Sequence, residues 1–593
     1  MKKIYCVNEL TALPLLFAAL FRRKAWYLAV TPYMQRFRPL LERLVRWGET
    51  RGLRRADEIA PSIGPALDYL YRTMLVDFFS RIETWQSAYY RFDQARPGIE
   101  RYERCYRHVV SNHLSLMSPI IVSLGDLDEA AGDDIRIVGI PGDILAAAEA
   151  YSGRSLRHFA HPDRNPHRLL NPLLGLFILA ASLVWSAIRI RPGGIVRKEY
   201  FFAADFVDDE SDALLYHEVA DGGPLLLAGR SKGYSTRRHE LDLPPHDFCM
   251  LRDGLLDMEQ GGRTLAFLVR DTLRIIRHFS RLETPLFSAL VALPFYRAIY
   301  RAFFTRFGAR YFWGRDSYSP YHLIRRQEMA RTGGVSWSVC HSYLTYGDRY
   351  PEFTYLGYHR YYMLGTFLRD KWYGDSWPED MDVVPSAPFR IPREIFARRR
   401  AEKPKNILIM ASVSLWQPRF HEITRAIAEA FPDRTIYIQV KEVFQSLAVG
   451  QRYIEHVTAG LDHVKLYSGS PYNLFDDCRY SFSDPSTVSV EPAVCGIAAF
   501  AIDAEGMRSS VLHEVPGFCV TSAEAAIARI RGMEDGSWRY PVAELSRVID
   551  LTGRTFFDRV RMDLGLTPKE EAWPAWPELD DPTEHSPKTR NTA

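Results

Sequence analysis

Along the chain, short runs of β-branched, aromatic and aliphatic residues alternate with longer stretches whose apolar positions recur every three to four residues. That pattern predicts strands alternating with helices. KIYCVN, ELTALPLLFAALF and AWYLAV open the chain as strand, helix and strand. Arg-rich helical segments over residues 36–115 come next, then IRIVGI and PGDILAAAEAYSG as a second strand-to-helix unit. YFFAADF, PLLLAG, ARYFWG (309–314), GVSWSVCHS and YYMLG (361–365) read as further strands. DSYSPYHLIRRQEMARTGG reads as a helix stopped by Gly333 and Gly334. Residues 376–405 hold five prolines and a basic run, which predicts an interdomain linker.

Beyond the linker the alternation is regular. NILIMAS (406–412), a helix over 418–430, TIYIQV (435–440), a helix around 443–458, HVKLYS (463–468), a helix from Pro471, RYSFSD (479–484), a helix over 488–495 and AAFAID (498–503) succeed one another. Such spacing implies a parallel, doubly wound sheet. The predicted fold class is therefore α/β with two Rossmann-like domains, the first over 1–375 with helical insertions and the second over 406–550. A Pro-, Glu- and Thr-rich tail at 570–593 predicts disorder.

Two stretches change this picture. Between Arg168 and Arg189 run twenty residues without a charge, LLNPLLGLFILAASLVWSAI, about 30 Å as a helix and enough for a bilayer core. A single span would put residues 1–168 and 190–593 on opposite sides of a membrane and divide an N-terminal sheet. A helix lying in one leaflet, or a re-entrant pair, avoids that conflict. A second segment, PLFSALVALPFYRAIYRAFFTRF (285–307), carries Arg297, Arg301 and Arg306 among aromatics, as an interfacial helix would. Segments 169–190 and 285–307 are thus candidate membrane-associated helices, with a true span and a buried core helix as the other readings. The N-terminal apolar run Leu10–Phe21 follows Asn8 and Glu9 and has no small-residue cleavage site, so no signal peptide is expected.

Net charge narrows the partners. The 593 residues carry 75 basic against 72 acidic side chains, a net charge of +3, so no global field points to nucleic acid. Only 12 of the basic residues are Lys, and Arg forks suit phosphate and carboxylate recognition. Seven scattered Cys, with no CxxC or Cys/His spacing, predict a reducing compartment, no disulfide framework and no zinc site.

The candidate chemistry concentrates in SFSDPSTVSVEPAVCGIAAFAID (481–503), where a strand hands over to a helix through Asp484, Ser486, Thr487, Ser489 and Glu491. Backbone N–H groups at that helix start suit a phosphate, and Glu491 one turn in suits ribose hydroxyls. Ordinary helix capping explains the same residue types. Asp205, Asp208 and Asp209 come nearest to a metal-binding DxD, and VDDESD (207–212) reads better as a solvated loop.

DPSTVSVEPAVCGIAAFAID is similar to the donor-binding signature of GT-B glycosyltransferases: an acidic residue, paired hydroxyls, Glu, then Gly before a strand. The resemblance is to the branch containing polysialyltransferases and CDP-glycerol glycerophosphotransferases of capsular and surface polysaccharide biosynthesis. GGVSWSVCHSYLTYG and YHRYYMLGTFLRDKW resemble that branch's strand ending in His-Gly and the aromatic strand after it. Ser342 stands for the usual Gly after His341, Pro492 for Ala and Ala498 for Pro, and Gln439-Val440-Lys441-Glu442 lacks the Lys-x-His-Pro motif. The resemblance implies a metal-independent, inverting transferase with no cofactor beyond its nucleotide-sugar or CDP-polyol donor. Its acceptor would be lipid-linked or a surface glycan, met at the cytoplasmic face of an inner membrane. It implies His341, with Asp348 and Glu352 as alternatives, as catalytic base. Donor contacts would come from Asp484, Ser486, Thr487, Ser489, Glu491, Ser412, Ser414, Arg419 and Lys441. A catalytically inactive GT-B scaffold of a polysaccharide assembly complex is the competing expectation, and a fainter likeness to nucleotide-sugar 2-epimerases accompanies it.

Overall fold

The computed structural model describes residues 2–8, 11–21, 25–30, 37–56, 102–130, 135–140, 142–156, 159–160, 166–205, 207, 210–230, 241–317, 319–340, 351–504, 511–572 and 576. They form three sheets in which every pairing between neighbouring strands is parallel. The first contains β1 (Lys2–Val7), β2 (Ala25–Val30), β3 (Leu53–Arg55), β4 (Ile135–Val138) and β5 (Phe159–Ala160), in the order β3-β2-β1-β4-β5. The second contains β6 (Lys198–Ala204), β7 (Leu225–Gly229), β8 (Asp247–Met250), β9 (Phe307–Trp313), β10 (Val335–Val339), β11 (Arg360–Met363) and β12 (Asp382–Pro385), ordered β12-β11-β10-β9-β6-β7-β8. The third contains β13 (Asn406–Ala411), β14 (Ile436–Val440), β15 (Val464–Leu466), β16 (Cys478–Ser483), β17 (Ala498–Ile502) and β18 (Cys519–Val520), ordered β15-β14-β13-β16-β17-β18.

Renumbered within each sheet, all three share one winding. The first three strands run outward one way and the later strands the other, which is the doubly wound Rossmann order. Helices cover both faces, so central strands are apolar throughout rather than alternating. Ile407, Leu408 and Ile409 of β13 are wholly buried, at about 1.5–3 kcal/mol each for side-chain transfer.

Where the sequence predicts one N-terminal unit over 1–375, β1–β5 pair only among themselves and β6–β12 form a separate sheet. Strand periodicity carries no information on which strands share a sheet. The predicted linker also differs, because β12 lies inside it and pairs with β11, and the chain leaves the second sheet only after Pro385. A final helix, Phe556–Asp563, returns from the third unit to the second. Its Phe556 ring sits 5.4 Å from Tyr362 and 5.0 Å from Phe389, while Arg561 pairs with Asp221 at 2.7 Å. Gly365, just past β11, lets the two units touch, since a Cβ there would lie 2.1 Å from the Val548 carbonyl oxygen.

The segment 285–307 is not interfacial. It folds as two helices, Thr284–Val291 and Leu293–Arg306, with Phe287, Leu293, Phe303 and Phe304 fully buried. Arg297 and Arg301 turn inward to the buried Glu328 carboxylate at 2.7 and 2.9 Å. The other stretch is one continuous helix, Asn171–Arg189, whose packing against Met258–Phe279, Thr284–Val291 and Leu293–Arg306 holds it along the flank of the second unit. The helix Glu103–Ala130 packs against Thr284–Val291 and Tyr321–Ala330, so segments on both sides of 171–189 in sequence lie together in one body. That arrangement is incompatible with a single span.

Candidate functional site

In a doubly wound sheet the crevice opens at the carboxyl ends of the two strands where the order reverses. In the third sheet these are β13 and β16, followed by Ser412 and Asp484 respectively. Parallel pairing brings the two together across 72 residues of sequence. The Asp484 carboxylate is fully buried. It accepts hydrogen bonds from the Ser412 and Ser414 backbone N–H groups at 3.1 and 3.0 Å and from the Ser412 hydroxyl at 2.9 Å. Asp484, Ser412 and Ser414 therefore staple two loops to each other.

The other sheets close their crevices in the same way. In the first, the Asn8 side-chain amide donates to the Gly139 carbonyl at 2.5 Å, and Gly139 has φ 86° in so tight a corner that a Cβ would lie 2.3 Å from Thr11. In the second, Asp205 after β6 and Asp316 after β9 are bridged by Arg230 and Arg325, with Arg325 2.8 Å from Asp205 and 2.5 Å from Asp316. Asp205 is thus a buried, doubly paired carboxylate. Asp208 and Asp209 lie outside the described residues.

Beyond these closed crevices, open space lies between units. A cleft open to solvent, with about 440 Å³ of atom-free space when that solvent is included, is lined by Arg315, Cys340, Leu364, Phe389 and Arg390 from the carboxyl edge of the second sheet, and by Thr487 and Glu491 from the third. Arg315 stands two residues past the end of β9. It is held by Asp212 at 2.7 Å and lies over the Phe389 ring at 4.9 Å. Arg390 is exposed on the segment that crosses between the units. Facing these guanidinium groups, Glu491 accepts a hydrogen bond from the Tyr472 hydroxyl at 3.0 Å. Burial pushes the Glu491 carboxyl up to about 7, against the opposing pull of Tyr472 and of the Arg390 charge.

The helix expected over 488–495 is a 3₁₀ turn, Thr487–Ser489, and four residues, Glu491–Val494. Pro492 and the left-handed Gly496 (φ 72°) allow no more, so the anticipated helix dipole is largely missing and charge complementarity falls to the arginines. Ser489 donates its hydroxyl to the Ser486 carbonyl at 2.6 Å. The Ser486 hydroxyl is buried and has no hydrogen-bond partner among the described residues.

Of the other predicted contacts, Arg419 donates to the Thr521 carbonyl at 3.0 Å, and the side chain of Lys441 is exposed; neither lines the cavity. His341 and Asp348 lie outside the described residues, as does the side chain of Glu352, whose backbone belongs to the short helix Pro351–Thr354. Cys340, immediately before His341, lines the cavity. Sequence reasoning missed Arg315, Arg390 and Tyr472. An Arg-Asp pair directly after the buried strand ARYFWG was the available signal for Arg315, whereas Arg390 was hidden inside the presumed linker.

No family model matches the chain, and no curated protein matches it. Among solved structures, the chain is similar to a glycosyltransferase from Rickettsia africae, with 10% identity over 62% of this chain and 97% of that one and a TM-score of 0.35. It is also similar to the wall teichoic acid polymerase TagF, with 8% identity, coverage of 68% and 97% and a TM-score of 0.37. A UDP-GlcNAc 2-epimerase from Neisseria meningitidis bound to UDP-GlcNAc gives 10% identity, coverage of 59% and 94% and a TM-score of 0.35.

The carboxyl state of Glu491 can be read through stability. Below about pH 4.5 it is protonated in the folded and unfolded chains alike. Between there and about pH 7 only the unfolded chain loses the proton, so stability falls as pH rises through this window and levels off above it. Relative to wild type, Glu491→Gln should therefore gain about 3 kcal/mol across the window, read from denaturant unfolding at a series of pH values. Parallel curves would mean that the carboxyl titrates normally.

Proposed function

We propose that the chain is a GT-B glycosyltransferase, moving a sugar from a nucleotide donor to a lipid-linked or surface-glycan acceptor at the cytoplasmic face of an inner membrane. The supporting observation is the pair Arg315 and Arg390 set across an interdomain cleft from Thr487 and Glu491. Two guanidinium groups suit a pyrophosphate, and a buried carboxylate beside a tyrosine hydroxyl suits the cis-diol of a ribose.

In this reading a base on the second unit, His341 with Asp348 and Glu352 as alternatives, takes the proton of the acceptor hydroxyl. The acceptor oxygen attacks the anomeric carbon, the bond from that carbon to the phosphate oxygen breaks, and the nucleoside diphosphate leaves with the electron pair, its charge met by the two arginines. With a CDP-polyol donor the attack falls on phosphorus instead, and CMP departs. Thr487 and Ser486 supply hydroxyls to the phosphates.

Thermal-shift measurements with CDP, CMP, UDP, GDP and dTDP conjugates test the reading. Stabilisation by one nucleotide class coupled to turnover supports it, and no stabilisation by any favours a catalytically inactive scaffold. Glu491→Ala should weaken nucleotide binding by about tenfold without unfolding the protein, since it removes hydrogen-bond acceptors only. Unchanged affinity would remove Glu491 from the site.

A further inference from the structure

The helix Asn171–Arg189 is inside out. At 100° per residue, its inward side carries Asn171, Gly175, Leu179, Ser182 and Ser186, four of them small or polar. Its outward side carries Leu173, Leu176, Phe177, Val184 and Ile188, each 46% exposed or more, with Phe177 at 71%. A helix facing water is arranged the other way. Small and polar residues turned inward, with bulky apolar ones outward, is the arrangement of helices whose surroundings are lipid.

The inward side is built for close packing. A Cβ on Gly175 would lie 2.5 Å from Ile276 of the neighbouring helix Met258–Phe279, and the Asn171 amide donates to the Ser280 and Leu282 carbonyls at 2.9 Å each. The outward stripe is therefore held rigidly in place.

The neighbouring helix extends the same surface. Met258, Gly262, Ala266, Val269 and Leu273 are exposed and fall on one side of it, next to the edge where Ile276 meets Gly175. Along the far edge, Arg263, Arg270 and Arg277 recur every seven residues, all exposed, with Arg263 paired to Glu259 at 2.6 Å and Arg270 to the buried Asp271 at 2.8 Å. Arg189, whose guanidinium lies 5.3 Å from the Trp185 ring, and Arg191 stand at the end of the outward helix.

We infer that the helices 171–189 and 258–279 together form a membrane-docking face. Their apolar stripes enter the acyl region of one leaflet, and Arg263, Arg270 and Arg277 lie at the phosphates of anionic phospholipids. Charge complementarity favours lipid, because a basic edge beside two apolar stripes matches anionic headgroups beside acyl chains. Apolar insertion and a basic rim are the two signals that stable peripheral binding requires. The inference stands on packing and charge and does not rest on the transferase reading.

Flotation of the full chain with phosphatidylcholine vesicles, with and without phosphatidylglycerol, tests it. Wild type should float with the anionic vesicles, and high-salt or carbonate washing should leave part of it bound. Leu176→Asp/Phe177→Asp alters only exposed side chains and should keep the wild-type Tm while abolishing flotation with both vesicle types. Arg263→Gln/Arg270→Gln/Arg277→Gln should lose the preference for anionic vesicles, by about fivefold per arginine. Wild-type protein remaining in the lipid-free fraction, or unchanged flotation of the Leu176/Phe177 variant, would overturn the proposal. So would a lipid-free dimer that this variant splits into monomers.

Discussion

Arg390→Ala should slow glycosyl transfer by about 10²–10³-fold and leave Tm almost unmoved. Losing one donor aimed at developing phosphate charge costs that much in a water-poor site, whereas truncating an exposed side chain changes stability by at most about 0.5 kcal/mol. Arg390 is exposed, yet close enough to Glu491 for its charge to act on that carboxyl, so it reaches the cavity. Arg315 is the informative contrast. It is buried and paired with the equally buried Asp212 at 2.7 Å, and its loss would remove that ion pair, so Arg315→Ala should lower stability together with activity. Steady-state kinetics and calorimetry on the two variants separate these outcomes. Wild-type turnover in Arg390→Ala would remove this residue from the phosphate site.

Asp484→Ala should destabilise the third unit markedly. It leaves the Ser412 and Ser414 N–H groups without their acceptor at the carboxyl edge of the sheet. Unpaired buried donors cost about 1–3 kcal/mol each, which together lower Tm by roughly 10 °C. Asp484→Asn keeps one acceptor oxygen and should fall in between. Nucleotide binding should decline in step with the loss of order in the two loops, even though the carboxylate points at protein donors. Calorimetry showing an unaltered Tm for Asp484→Ala would refute the staple.

Asp484 also shows what was legible in the sequence. The residue types and their place after a buried strand marked this turn as special, and the run of strands from 406 to 503 was readable because buried parallel strands leave long apolar signatures. The direction in which the side chain points was not readable, since a carboxylate that grips a ligand and one that grips a neighbouring loop have the same local pattern. The same limit applies to 285–307, where aromatic spacing fitted an interface and the deciding fact, Glu328 waiting inside for Arg297 and Arg301, comes from a distant helix. The division of the first half into two sheets was equally hidden, because β1–β5 and β6–β12 repeat the same local grammar. Arg390 was missed for a complementary reason, as proline-rich composition reads as spacer even where the chain forms an edge strand and the rim of a cleft.

The stapled crevices have a mechanical corollary. With Asn8, the Asp205–Arg325 cluster and Asp484 each filling its own notch, any guest is gripped by two bodies instead of being sheathed by one, and its residence time becomes a property of the gap between them. That gap is governed by the two strands of chain that run across it, near 386–392 and 551–555, and by the close fit of Gly365 against Val548. Residues that never touch the guest would then act as the tension in the jaws, setting how quickly it is let go.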